Sequence, residues 1–298
     1  NGFAGVEYQA ISFMFSQFDI EQPSVPFLNP EFSNPLFLKL FCEGLYRKKI
    51  RKIPEGYGGI SSVIDYFVES INEKLSHPSQ FNFPNDQNLV KKVIDEIIIF
   101  KLDKKLDNID YENAYRIADE ILSKYSNNKR FLDSLISEGL FSKNLIWNKE
   151  NEHKEIVYLT YERFDDHLTA SYLLKEYFDD NPNFLFSTGG PLGRYVEKCY
   201  QYQGLLEAFS IQLPEKIGFE LYELVDDNLK GKPCIVNSFI DSLIWRKTNT
   251  IEEKTKSYIN KYVFADENYF DRLIQTVYSV ALEPKHFYNV NLLHNYLM

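Results

Sequence analysis

Apolar residues recur at helical spacing from the start of the chain. Phe3, Val6, Ala10, Phe13, Met14 and Phe18 fall near a 3.6-residue period, which predicts a helix over 3–18. A proline-punctuated loop follows, with Pro23, Pro26 and Pro30. Asn34 then precedes Pro35 and the run Leu36-Phe37-Leu38-Lys39-Leu40-Phe41-Cys42. Asn is a strong N-cap, and proline suits the first helical position, where its missing N–H would be unpaired anyway. This helix is apolar on most faces through Leu45, so burial is expected. The basic stretch Arg47-Lys48-Lys49-Ile50-Arg51-Lys52 ends it. Gly56-Tyr57-Gly58-Gly59 breaks the chain before a helix over about 60–76, and 77–88 reads as a loop rich in Pro and Asn.

The middle third has a distinct order. Leu89–Leu106 is amphipathic, with Val90, Val93, Ile97 and Phe100 on one side. Asp110 starts a second helix carrying Tyr111, Ala114, Ile117, Ala118, Ile121 and Leu122. A short third helix runs over about Lys129–Glu138, with Gly139 as its stop. Two strand-like runs, Leu140–Trp147 and Glu155–Tyr161, flank the polar tip Asn148–Lys154. Three helices followed by a β-hairpin is the winged-helix arrangement. A long helix from Glu162 to about Phe178 leaves the hairpin. From Asn181 onward only helices and loops are expected: Leu192–Ile211, Glu215–Val225, Ile235–Trp245, Glu252–Tyr262, Glu267–Ala281 and Val290 onward. The expected fold is mainly α: a helical subdomain (1–88), a winged-helix domain with one β-hairpin (89–177), and a C-terminal α-helical region (178–298) open to solenoid-like stacking, with no firm repeat period.

Composition narrows the class. Gly and Pro number 13 and 12 in 298 residues, about 8% against a usual total of roughly 12%, which favours helix over turns. The formal net charge is −10, whereas nucleic-acid binders usually need cations to neutralise phosphates. Residues 89–177 hold 14 basic against 17 acidic side chains, and the third helix has Lys129 and Arg130 against Asp133 and Glu138. A duplex-reading role is therefore disfavoured, and docking against its own chain is expected. Cys42, Cys199 and Cys234 are odd in number and far apart, with no disulfide framework and no Cys-x-x-Cys pair. A cytoplasmic setting fits, with no apolar run long enough to span a membrane and no signal peptide. The chain opens at Asn1 and closes at Met298 within an uncapped apolar pattern, so it is expected to be a piece of a longer protein.

Catalytic motifs are missing. Gly56–Gly59 and Gly189-Gly190-Pro191-Leu192-Gly193 lack the Lys-Ser/Thr of a phosphate loop and read as turns. His77, His153, His167, His286 and His294 have no metal-ligand spacing. Asp165-Asp166-His167 cannot converge from adjacent helical positions, which point about 100° apart. Glu162, Asp165 and Asp166 are expected to be a solvated first turn offsetting the helix dipole, as Arg47–Lys52 would at a C-terminus.

Three segments together resemble one family. Phe27-Leu28-Asn29-Pro30-Glu31-Phe32-Ser33-Asn34-Pro35-Leu36-Phe37-Leu38 resembles the Asn-Pro-Leu-Phe-Leu helix that follows the nucleotide-binding core of bacterial STAND (NACHT-like) ATPases. Val157-Tyr158-Leu159-Thr160-Tyr161-Glu162-Arg163-Phe164-Asp165-Asp166-His167-Leu168-Thr169-Ala170 is similar to the Tyr-Glu-Arg-Phe-x-Asp-His-Leu-x-Ala element of the antiviral members. His286-Phe287-Tyr288-Asn289-Val290-Asn291-Leu292-Leu293-His294 is similar to their His-Pro-Phe-Asn-Ala-x-x-Leu-His element, with Phe287 in place of proline.

The resemblance implies a parent with an effector, an ATPase core with helical and winged-helix subdomains, and a helical sensor. Such a parent recognises a phage protein, binds ATP or ADP with magnesium, self-associates and releases its effector. This chain would begin after the core, so no enzymatic activity is expected of it alone. Pro35 matches a proline that packs near the adenine. Tyr161 stands where many relatives offer a His to the phosphates; it can donate a hydrogen bond but cannot become cationic. The plainer readings, an N1 proline and a wing residue packed on the next helix, remain open. So do two other functions: a winged-helix transcription regulator with a helical ligand-binding domain, and a helical protein-binding scaffold.

Overall fold

A computed structural model describes residues 2–22, 30–53, 60–126, 130–147, 153–178, 182–282, 286, 288 and 289. The chain is mainly helical with one small antiparallel sheet. In chain order the elements are α1 (Glu7–Gln17), α2 (Pro35–Arg47), α3 (Ile60–Ser76), α4 (Leu89–Lys104), β1 (Ile109–Asp110), α5 (Tyr111–Leu122), α6 (Phe131–Ser137), β2 (Phe141–Trp147), β3 (His153–Leu159), α7 (Glu162–Tyr177), α8 (Gly193–Glu197), α9 (Gln203–Ile217), α10 (Leu221–Leu224), α11 (Pro233–Ser242), α12 (Glu253–Tyr258) and α13 (Glu267–Tyr278). Contacts divide the chain into two compact units, one of residues 1–63 with 173–298 and one of residues 64–172. No described helix is long and apolar enough to cross a membrane.

In the first unit, α2 starts as its sequence dictates. Asn34 Oδ1 accepts from the N–H groups of Leu36 (2.9 Å) and Phe37 (3.2 Å), and Pro35 takes the first helical position. The helix buries Phe37, Leu38, Leu40, Phe41 and Leu45. Phe37 meets Phe32 and Trp245 edge-on at 5.3 and 5.9 Å, a geometry that suits the ring quadrupoles. Burial pushes the Cys42 thiol up to about 12. The expected helix over Leu192–Ile211 is instead α8, a 3₁₀ turn at Cys199–Gln201, and α9. A disulfide joins Cys199 in that turn to Cys234 in the first turn of α11, with Cα atoms 5.9 Å apart. It overturns the expectation of no disulfide framework: 35 residues separate the two in sequence, and only the packing of α11 on α9 and the turn brings them together. Sequence also missed that α9 continues through Pro214 to a left-handed Gly218 (φ 73°).

In the second unit, Asp110 caps α5 by accepting from the Asn113 backbone N–H at 2.9 Å and side chain at 2.7 Å. Burial raises the Asp110 carboxyl, but those bonds and Lys154 together hold it below the usual value. α6 ends at Gly139, whose φ of +79° is a left-handed stop that a side chain would strain. The hairpin pairs Phe141 with Leu159, Lys143 with Val157, Leu145 with Glu155 and Trp147 with His153. A strand the sequence did not announce, β1, pairs Ile109 with Val157 and Asp110 with Ile156, giving the order β1-β3-β2. Val90, Val93, Ile94, Ala114, Ala118, Leu122, Phe131, Leu135, Phe141 and Val157 form the core. The residues at 148–152 of the expected tip, the Gly56–Gly59 break, Lys129 and the expected helix from Val290 lie outside the described residues.

Candidate functional site

Pro35 is exposed at the start of α2 in the first unit. The chain's own N-terminal segment lies against it: Phe3 N–H donates to Ser33 O at 2.8 Å. A side chain at Gly2 would collide with that carbonyl and touch the Pro35 ring. Tyr161 is half-buried in the second unit, at the turn between β3 and α7. Its carbonyl accepts from Phe164 N–H at 2.9 Å, closing the first turn of α7. Its ring stands edge-on to Phe164 at 5.4 Å, and Phe164 packs on Phe67 at 5.8 Å. Each residue therefore has a local structural role, consistent with the plainer readings.

The first turn of α7 differs from expectation. Glu162 is exposed, but Asp165 is only half-exposed and accepts from Lys101 Nζ at 2.6 Å, while His167 is buried. The solvated reading fails because α4 lies alongside and presents a cation to this turn. The stretch over 47–52 is partly neutralised within its own unit: Arg47 pairs with Glu43, and Arg51 pairs with Asp19 at 2.5 Å. Among the described residues no group of three His, Cys, Asp or Glu side chains could hold a metal ion.

Sequence reasoning missed a buried polar network in the first unit. Arg246 is wholly inaccessible to solvent, and its Nη1 donates to Glu220 Oε2 at 2.7 Å. Thr255 Oγ1 donates to Glu220 Oε1 at 3.1 Å and accepts from Glu252 N–H at 3.1 Å. Glu220 also caps α10 in a reciprocal box with Glu223. Among the described residues, Arg246 Nε and Nη2 have no hydrogen-bond partner. Burial, then the carboxylates of Glu220 and Glu223, raise the nearby Tyr222 hydroxyl, which stacks on Tyr258 at 3.8 Å. The only advance signal was a capping box at Glu220 ahead of an apolar run.

A polar hollow of about 220 Å³ lies close by, lined by Pro214, Glu215, Gly218, Lys247, Thr250 and Lys254 among others. Burial raises the Glu215 carboxyl against the Lys247 N–H that donates to it at 2.8 Å. Lys254 Nζ is held by Gly218 O (2.6 Å) and Glu223 (3.0 Å). Ligand pockets usually span roughly 300–1,000 Å³ with mostly apolar walls, so this hollow does not recommend itself as a nucleotide site. Compared with known proteins, the chain matches no family model, no curated sequence and no solved structure.

Proposed function

We propose that this chain is the regulatory and oligomerisation part of a STAND-type NTPase of antiviral defence, coupling recognition of a phage protein to the nucleotide state. Residues 89–177 are read as a winged-helix module and 178–298 as the start of a helical sensor. The observation that carries the reading is the order α4-β1-α5-α6-β2-β3 closed by a β1-β3-β2 sheet, with a third helix that is not cationic. The exposed positions of α6 include Asp133 and Ser137. Asp133 accepts from Tyr111 at 2.7 Å, and Glu138 from Lys74 at 2.6 Å. A duplex reader would put cations there to meet phosphates, so the module is assigned to protein contacts.

In this reading a core outside these residues would supply the phosphate loop and the metal ligands for the nucleotide and its magnesium. Pro35 would pack near the adenine and the Tyr161 hydroxyl would donate to a phosphate. Target binding would then bias a two-state packing of the modules. Cytoplasmic residence belongs to the same reading. The Cys199–Cys234 bond pulls against it, since disulfides are rare in reducing compartments.

The test is nucleotide retention by the purified full-length protein. Tyr161→Phe keeps the ring on Phe164 and removes the hydroxyl; it should speed ADP release several-fold. A full-length protein that binds no nucleotide would overturn the reading.

A further inference from the structure

Among the described residues the outer edge of β2 is open. Thr160 N–H donates to Leu140 O at 3.0 Å, so 140 and 160 are a hydrogen-bonded pair. Alternation along an antiparallel ladder then turns the N–H and C=O groups of Lys143, Leu145 and Trp147 away from β3. No backbone hydrogen bond joins this edge to another element among the described residues. Leu145 N–H is satisfied only locally, by Asn144 Oδ1 at 2.8 Å. The same three side chains share one sheet face. Leu145 is 51% and Trp147 65% exposed, and Trp147 is stiffened by the His153 ring at 3.8 Å. A strand edge with unpaired main-chain groups beside exposed large apolar side chains invites another strand.

The strand is complementary to itself. Set antiparallel about a two-fold axis at Leu145, Leu145 faces its own copy. The stem of Lys143 then lies beside Trp147 of the second copy, a cation–aromatic pairing made twice. The two Lys143 ammonium groups stay four residues apart in that register, and each is already neutralised by its own Glu155 at 3.1 Å. A register centred on Lys143 would instead oppose two like charges. We propose that β2 is a self-association edge: two copies of this chain join β2 to β2 in the Leu145-centred register, forming one continuous six-stranded sheet. The contact is small, so the dimer is weak and reversible.

The experiment is sedimentation velocity of the 298-residue chain up to about 100 µM, where a complex with Kd of roughly 10 µM is mostly dimer. The dimer fraction should rise with concentration. Leu145→Lys puts two cations face to face at an exposed site and should weaken the dimer at least tenfold, with unchanged circular dichroism and melting temperature. Leu145→Cys should cross-link between copies on mild oxidation with diamide, whereas Asn144→Cys, which would oppose Ile146, should not. A chain that stays monomeric, a dimer indifferent to Leu145→Lys, or equal cross-linking at 144 and 145 would each overturn the proposal. None of these readouts depends on nucleotide, so this result and the functional one fail separately.

Discussion

Lys101 Nζ donates to Asp165 Oδ2 at 2.6 Å, tying α4 to the first turn of α7 with both side chains largely shielded from water. The lysine sits in the last turn of α4 and the aspartate in the first turn of α7, so each charge also opposes its own helix dipole favourably. Asp165→Asn keeps the shape and removes the charge. It should cost about 1.5–3 kcal/mol, the range for a hydrogen bond to a charged group, lowering the melting temperature by roughly 3–10 °C. Calorimetry checks this; a shift under about 1 °C would mean the pair is solvent-screened.

The Glu220–Arg246 pair is deeper, and truncating one partner strands the other. Glu220→Ala should cost about 3–5 kcal/mol, because it leaves a guanidinium uncompensated in the interior. Arg246→Met in a Glu220→Leu background should recover much of that loss, since apolar replacements of both partners are often tolerated. Urea unfolding of the three chains gives the comparison directly.

His286 is buried, and burial pushes its imidazole down to about 4 from an ordinary value of 6.5. Its Nδ1 accepts from Tyr288 N–H at 3.1 Å, which requires that nitrogen unprotonated. The unfolded chain takes up a proton near pH 6.5 and the folded one does not until about 4. Stability from this residue is therefore intact above pH 6.5 and falls as pH drops towards 4, by about 3 kcal/mol at most. His286→Gln should flatten the slope of stability against pH between 4 and 6.5; an unchanged slope would assign it to carboxylates.

Duplex binding is the sharpest discriminator against a transcription regulator. With Asp133 and Ser137 on the outer positions of α6, fluorescence anisotropy should show no salt-dependent affinity for duplex DNA at physiological ionic strength. Binding that weakens steeply with salt would favour the regulator.

What sequence could reveal was local. The Asn34–Pro35 start, the Asp110 cap and the Gly139 stop were legible because each signal lies within a few residues of the structure it produces. The two strand-like runs of the hairpin were legible for the same reason. β1 was not, because two residues carry no periodicity and become a strand only when Ile156 and Val157 accept them as neighbours. Lys101–Asp165, Glu220–Arg246 and Cys199–Cys234 join positions 64, 26 and 35 residues apart, so their partners are set by packing. At the candidate site, Pro35 and Tyr161 were named through resemblance, and their observed neighbours explain them equally as structural residues.

The most direct trial of the regulatory reading compares ATP turnover by these 298 residues alone with turnover by the longer protein proposed to carry them. The account predicts none from the isolated chain, and nucleotide binding with target-stimulated hydrolysis from the full protein. Robust hydrolysis by the isolated chain, or a full protein blind to nucleotide, would contradict it.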